Sequence, residues 1–132
     1  LILKNTFHKN ERLSSKKQID YLFEKGSGKS KAPIKVMYLA EAGEVRDIKA
    51  MFVVPKKKFK RAHDRNKLRR RMKEAYRLKK NDFYSAFPLP LSLKLAFIYT
   101  SSEAKDHSTI QAAVHHLLAV ISKEIVAKSK TT

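Results

Sequence analysis

Cysteine is missing from all 132 residues, which excludes disulfides and thiol chemistry and suits a reducing, cytoplasmic setting. Acidic residues are scarce. Only 12 Asp and Glu stand against 30 Lys and Arg, and they are scattered, so no carboxylate pair offers itself for acid and base work. No apolar run approaches the roughly 18–20 residues of a membrane span, and the opening residues do not read as a signal peptide. His8, His63, His107, His115 and His116 lack metal-ligand spacing and have no cysteine to help them. The serines have no nucleophile-elbow context, and Lys29 lies beside glycines but in no phosphate-cradling motif. A metalloprotein, a membrane protein and a nuclease using its own side chains are therefore not expected.

What the chain has is positive charge, a formal +18. An imbalance of that size repels itself, and a polyanion is the usual partner that relieves it. With 42% hydrophobic residues the chain can still build a modest core. The expectation is one domain over residues 1–132, with 1–13 an extended arm and 127–132 a frayed tail.

Periodicity and punctuation give the elements. Ser15 with Gln18 matches a capping box, Ile19, Leu22 and Phe23 share a helical face, and Gly26 supplies a stop, so residues 15–25 are predicted as a helix. Residues 26–33 read as a loop. Residues 34–40 and 48–54 are short β-rich runs around Gly43 and read as an antiparallel hairpin, closed by Pro55. Asp64 is the expected cap of a helix running to residue 80. Residues 92–100 read as a strand with Leu93, Leu95, Phe97 and Tyr99 on one face and Ala96 and Ile98 on the other. Ser108 with Gln111 repeats the capping box before a long amphipathic helix carrying Ile110, Val114, Leu117, Ile121 and Ile125. The order α-β-β-α-β-α implies an α+β fold, a small, mostly antiparallel sheet with three helices packed on it.

The charge is concentrated. Residues 56–80 hold 14 Lys or Arg against Asp64 and Glu74 alone. Ordinary exposed helices alternate signs at i and i+4; this one accepts repulsion along a whole face, the footprint of a polyanion-binding surface. Leu68, Met72, Ala75 and Tyr76 form the apolar stripe of the helix, and Asn66, Arg69, Arg70, Lys73 and Arg77 fall opposite. Arginine's planar fork pairs phosphate oxygens bidentately and stacks on bases. Asn66, in the first turn, is placed to reach a base edge or a 2′-hydroxyl.

The run Arg61-Ala62-His63-Asp64-Arg65-Asn66-Lys67-Leu68-Arg69-Arg70-Arg71-Met72-Lys73-Glu74-Ala75-Tyr76-Arg77 resembles the signature of the bacterial ribonuclease P protein subunit, an Arg-Asn-Arg triplet leading into a basic helix. Arg12-Leu13, then Phe23 and Gly26, resemble that family's opening, and Val54-Pro55-Lys56-Lys57-Lys58 its strand-to-lysine segment. The likeness covers residues 7–126. Lys67 stands where the triplet has its second arginine, keeping charge but losing the fork; Ile19 stands where many relatives have an aromatic; the lysine pair is either Lys56 and Lys57 or Lys57 and Lys58.

The resemblance implies an accessory subunit of an RNA-based endoribonuclease that removes the 5′ leader of precursor tRNA. The RNA subunit would hold the Mg²⁺ and do the chemistry. The protein would bind that RNA through Arg65, Asn66, Lys67, Arg69, Arg70, Lys73 and Arg77, with Lys56, Lys57 and Lys58 in the connector. It would hold the leader in a cleft lined by Ile19, Phe23 and Tyr38, although plain core packing is an equal reading of the two aromatics. A left-handed crossover between parallel strands is also implied. Without RNA the chain is expected to be monomeric. The alternative is a structural ribosomal RNA-binding protein, equally small and basic.

Overall fold

A computed structural model describes residues 11–87 and 90–130. His8, Pro88, most of the expected arm and the end of the tail lie outside them.

The first helix, α1, is Lys16–Lys25. Ser15 precedes it in extended backbone and its hydroxyl accepts from the Gln18 backbone N–H at 3.4 Å, half of the expected box. Gly26 ends it. A Cβ there would lie 2.5 Å from the Leu22 carbonyl oxygen and 2.9 Å from that of Tyr38, so a side chain has no room.

Four strands follow: β1 Ser27–Lys31, β2 Ile34–Ala42, β3 Asp47–Val53 and, after a second helix, β4 Leu91–Tyr99. Their order is β1-β2-β4-β3, with β1–β2 and β2–β4 antiparallel and β3–β4 parallel. Two expectations fail here. Residues 27–31, read as loop, form a strand, which makes the order α-β-β-β-α-β-α. Their Ser, Gly and Lys composition carries little β signal because β1 is an exposed edge, where lysine discourages further pairing. The predicted hairpin is also absent, since β2 and β3 do not pair with each other but flank β4. The apolar content of β4 explains this: it is covered on both faces, and a strand like that belongs at the sheet's centre. Residues 43–46 therefore straddle its start, and Gly43 lies so close that a Cβ would sit 3.4 Å from the Ser92 nitrogen.

The second helix, α2, is Ala62–Ser85 and the third, α3, is His107–Lys130. Both start earlier than expected. The backbone enters α2 at Arg61 with no side-chain cap, which leaves Asp64 inside the first turn, where a carboxylate favours the helix N-terminus. At α3 the cap is Asp106, not Ser108: its Oδ1 accepts from the Thr109 backbone N–H at 2.9 Å. The helix α2 also runs past residue 80, because Phe83 continues its buried stripe. In length and composition α3 passes for a membrane span, yet its Ile110, Val114, Leu117 and Ile121 are buried in the protein's own core.

The sheet has two unlike faces. On one, Val36, Tyr38, Leu93, Leu95, Phe97 and Tyr99 join the apolar stripes of α2 and α3 in the main core. On the other, α1 lays Leu22 over Ala96 and Leu13, with Ile19, Met37, Leu39 and Met51 half-buried around them. The end of the expected arm is fastened: Arg12 bridges Ala50 in parallel, and the Leu13 N–H donates to the Ala50 carbonyl at 2.9 Å.

Candidate nucleic-acid interface

Burial of Leu68, Met72, Ala75 and Tyr76 turns the opposite side of α2 outward. Asn66, Lys67 and Arg70 are exposed there. Arg69 donates to the Asn66 side-chain oxygen at 3.0 Å, which aligns both residues along the helix. Lys73 is half-buried, and its pKa falls below the ordinary lysine value through that burial and the like charges of Arg12 and Arg69. Arg12 comes from the opening segment, so the α2 face extends onto the part of the chain that leads into α1. Arg12 and Arg69 thus raise the positive potential at Lys73, and a phosphate chain relieves such repulsion.

Not every arginine predicted for this face is equally available. Arg65 donates to the carbonyls of Phe59 and Lys60 at 2.7 and 2.8 Å, so it ties the connector to the first turn of the helix. Arg77 pairs with Glu74, whose carboxyl is held below its usual range mainly by that hydrogen bond. Arg71, which is not predicted for this face, reaches across to the Lys105 carbonyl. Lys56, Lys57 and Lys58 form an exposed turn anchored by hydrogen bonds from the Lys58 and Phe59 backbone N–H groups to the Pro55 carbonyl.

The residues expected to line a leader cleft are not brought together. Ile19 lies in the groove between α1 and the sheet, and Phe23 stands on α1 with 44% of its surface exposed. Tyr38 is on the other face, 4% exposed in the main core. Strand alternation is the reason: Tyr38 shares its parity with Ile34 and Val36, both buried against the long helices. The groove instead receives Met37, Leu39 and Met51. Sequence reasoning did not single these out, although parity counted from buried Ile34 and Val36 would have found Met37. Lys94, from the central strand, is a further cation with the same parity as Ala96, paired with Glu41 at 3.8 Å.

Among the described residues no three His, Cys, Asp or Glu stand together as metal ligands. The class that fold and surface define is a small α+β protein with a cationic helix and a separate apolar cluster between α1 and the sheet. The Ribonuclease P family profile matches residues 7–122. The ribonuclease P protein components of two Porphyromonas gingivalis strains are each 31% identical over 121 residues, covering 89% of this chain and 87% of theirs. Among solved structures, a mutant Staphylococcus aureus RNase P protein aligns with TM-score 0.69 at 21% identity, over 86% of this chain and 89% of that one. The Thermotoga maritima RNase P protein aligns with TM-score 0.64 at 24% identity, over 82% and 94%. The chain belongs to the ribonuclease P protein family. It is thus a protein subunit of an RNA-based endoribonuclease and is not itself the catalyst, and its partner is the ribonuclease P RNA.

Proposed function

We propose that the cationic face of α2, with the Lys56–Lys58 turn and Arg12, docks on the ribonuclease P RNA, and that the groove beside α1 holds the 5′ leader of precursor tRNA. The observation that carries this reading is the division of the surface. Asn66, Lys67, Arg69, Arg70 and Lys73 form one charged face, while Ile19 packs in a separate apolar cluster between α1 and the sheet and Phe23, one turn further along α1, is exposed. Phosphates suit the first, and unstacked single-stranded bases suit the second. Mg²⁺ belongs to the RNA in this reading, and the protein's cations replace part of the counterion demand at assembly. The free chain is a monomer.

The test is cleavage of precursor tRNA by a bacterial ribonuclease P RNA across a Mg²⁺ titration, with and without the chain. The expected result is a lower Mg²⁺ requirement with the protein present and no cleavage by RNA-free protein. An unchanged Mg²⁺ requirement would overturn the reading.

A further inference from the structure

A cavity of about 570 Å³ opens between the end of β2 and the last turns of α3, with no residue of the α2 face in its lining and with Lys25, at the end of α1, and Leu39 at its edge. Ala40, Phe87, Leu91, Ile125 and Val126 give it apolar walls. Polar groups line it as well, Tyr38 and Glu124 together with Ser27 and Glu41. The Tyr38 hydroxyl is buried and makes no well-formed hydrogen bond among the described residues. Glu124 takes Lys29 on Oε2 at 2.8 Å and has Lys128 at 3.5 Å from Oε1. A carboxylate has about four lone-pair positions, so both oxygens keep acceptor capacity. Lys29, followed by the Tyr38 hydroxyl, holds the Glu124 carboxyl down at about 2, so it is ionised at neutral pH. Lys25 and Lys128, both exposed, line it too.

An apolar slot containing a fixed, ionised carboxylate selects a flat ring with adjacent N–H donors. Among nucleobases that is guanine, whose N1–H and N2–H₂ face one way. Adenine would turn its N1 lone pair on the carboxylate, and uracil offers a single N–H. Once the N–H groups of the base occupy Glu124, the Tyr38 O–H turns from that carboxylate to donate to the guanine O6, and lysines at the mouth suit the attached phosphate. We propose that this cavity is a guanine subsite, taking one unstacked guanosine phosphate of a bound RNA through Glu124 and Tyr38, with Lys25 and Lys128 on its phosphate. The proposal rests on the RNA-binding reading only for the source of the guanosine.

The experiment is an NMR titration of the full chain with GMP, IMP and AMP, followed through backbone amides. GMP should shift Tyr38, Glu124 and Val126 and saturate; IMP, which lacks the N2 amino group, should bind more weakly; AMP should leave the cavity signals in place. Glu124→Gln keeps the shape and removes the charge, and should weaken GMP by about tenfold, as expected for losing a charge-assisted pair. Ala40→Trp, at an exposed strand position, fills the cavity and should abolish the response, with thermal melts confirming that each variant folds. Equal binding of GMP and AMP, shifts confined to α2, or unimpaired GMP binding by folded Ala40→Trp would overturn the subsite. Affinity for the ribonuclease P RNA is measured beside it. A failed subsite with intact RNA affinity removes only this proposal, whereas loss of RNA affinity in unmodified protein would remove the broader reading.

Discussion

The Lys80 ammonium donates to both carboxylate oxygens of Glu11, at 2.7 and 3.0 Å, across 69 positions of sequence. Among the described residues Lys80 is the one buried charged side chain, 3% exposed. Tyr84 donates to the same carboxylate at 2.7 Å and meets the Tyr76 hydroxyl at 3.0 Å. The network fastens the opening segment to α2 next to Arg12.

Glu11→Ala should therefore be costly, by about 3–5 kcal/mol, because it removes the carboxylate that faces a buried ammonium. Lys80→Met with Glu11→Gln should recover much of that loss, since no net charge then stays buried. Urea unfolding of the three proteins checks this. A Glu11→Ala variant as stable as the parent would show that the pair does not hold the segment.

The α2 arginines should separate into two behaviours. Arg70 is exposed, so Arg70→Ala should leave stability unchanged while weakening RNA-subunit binding and lowering the salt slope by up to about 0.9. Arg65 is committed to two carbonyls, so Arg65→Ala should lower stability by about 1–3 kcal/mol and loosen the Lys56–Lys58 turn. Salt-dependent binding measured beside chemical denaturation distinguishes them. Equal stability loss from both substitutions would contradict the assignment.

Much of this molecule was legible in its sequence, for physical reasons that can be named. The stripe of Leu68, Met72, Ala75 and Tyr76 and the alternation of Leu93, Leu95, Phe97 and Tyr99 follow from local periodicity, and both are buried as expected. Strand pairing does not follow from local pattern. The four-residue link between β2 and β3 suits a hairpin, and only competition from a more apolar strand 38 positions beyond Val53 displaces it. The groove fails for a related reason: one position along β2 exchanges Tyr38 for Met37, and with it the face of the sheet. The Glu11–Lys80 pair has no local signal at all.

Stability at low pH should depend on Glu124. Its carboxyl is held at about 2 in the folded protein, below the ordinary value of 4.5, mainly by Lys29 and then by the Tyr38 hydroxyl. A depressed folded value means that the contribution is present above the unfolded value and is lost as pH falls through the folded one. The stability difference between the parent and Glu124→Gln should thus be constant near neutrality, shrink below about pH 4.5 and vanish near pH 2. Thermal melts over that range check it. A difference that persists at pH 2 would mean that packing, not charge, distinguishes the two proteins.

Leader binding should follow the face of the sheet, and not aromatic character. Phe23 is 44% exposed, one turn along α1 from Ile19, so Phe23→Ala should barely affect stability. If it stacks a leader base, precursor-tRNA affinity should fall by about 1–3 kcal/mol. Mature tRNA, which has no leader, should bind the Phe23→Ala holoenzyme as it binds the parent. Tyr38→Ala should behave oppositely. Tyr38 is 4% exposed in the main core, so truncation should cost about 3–5 kcal/mol of stability and weaken both tRNAs together. Met37 and Ile19 provide the decisive comparison, because both lie half-buried on the α1 face. Met37→Tyr and Ile19→Phe each add an aromatic surface to the groove, and each should tighten precursor binding while leaving mature tRNA unchanged. The measurement is the affinity of each reconstituted holoenzyme for precursor and mature tRNA, beside melts of the free proteins. A selective loss of precursor binding in Tyr38→Ala, with none in Phe23→Ala, would move the leader to the opposite face of the sheet.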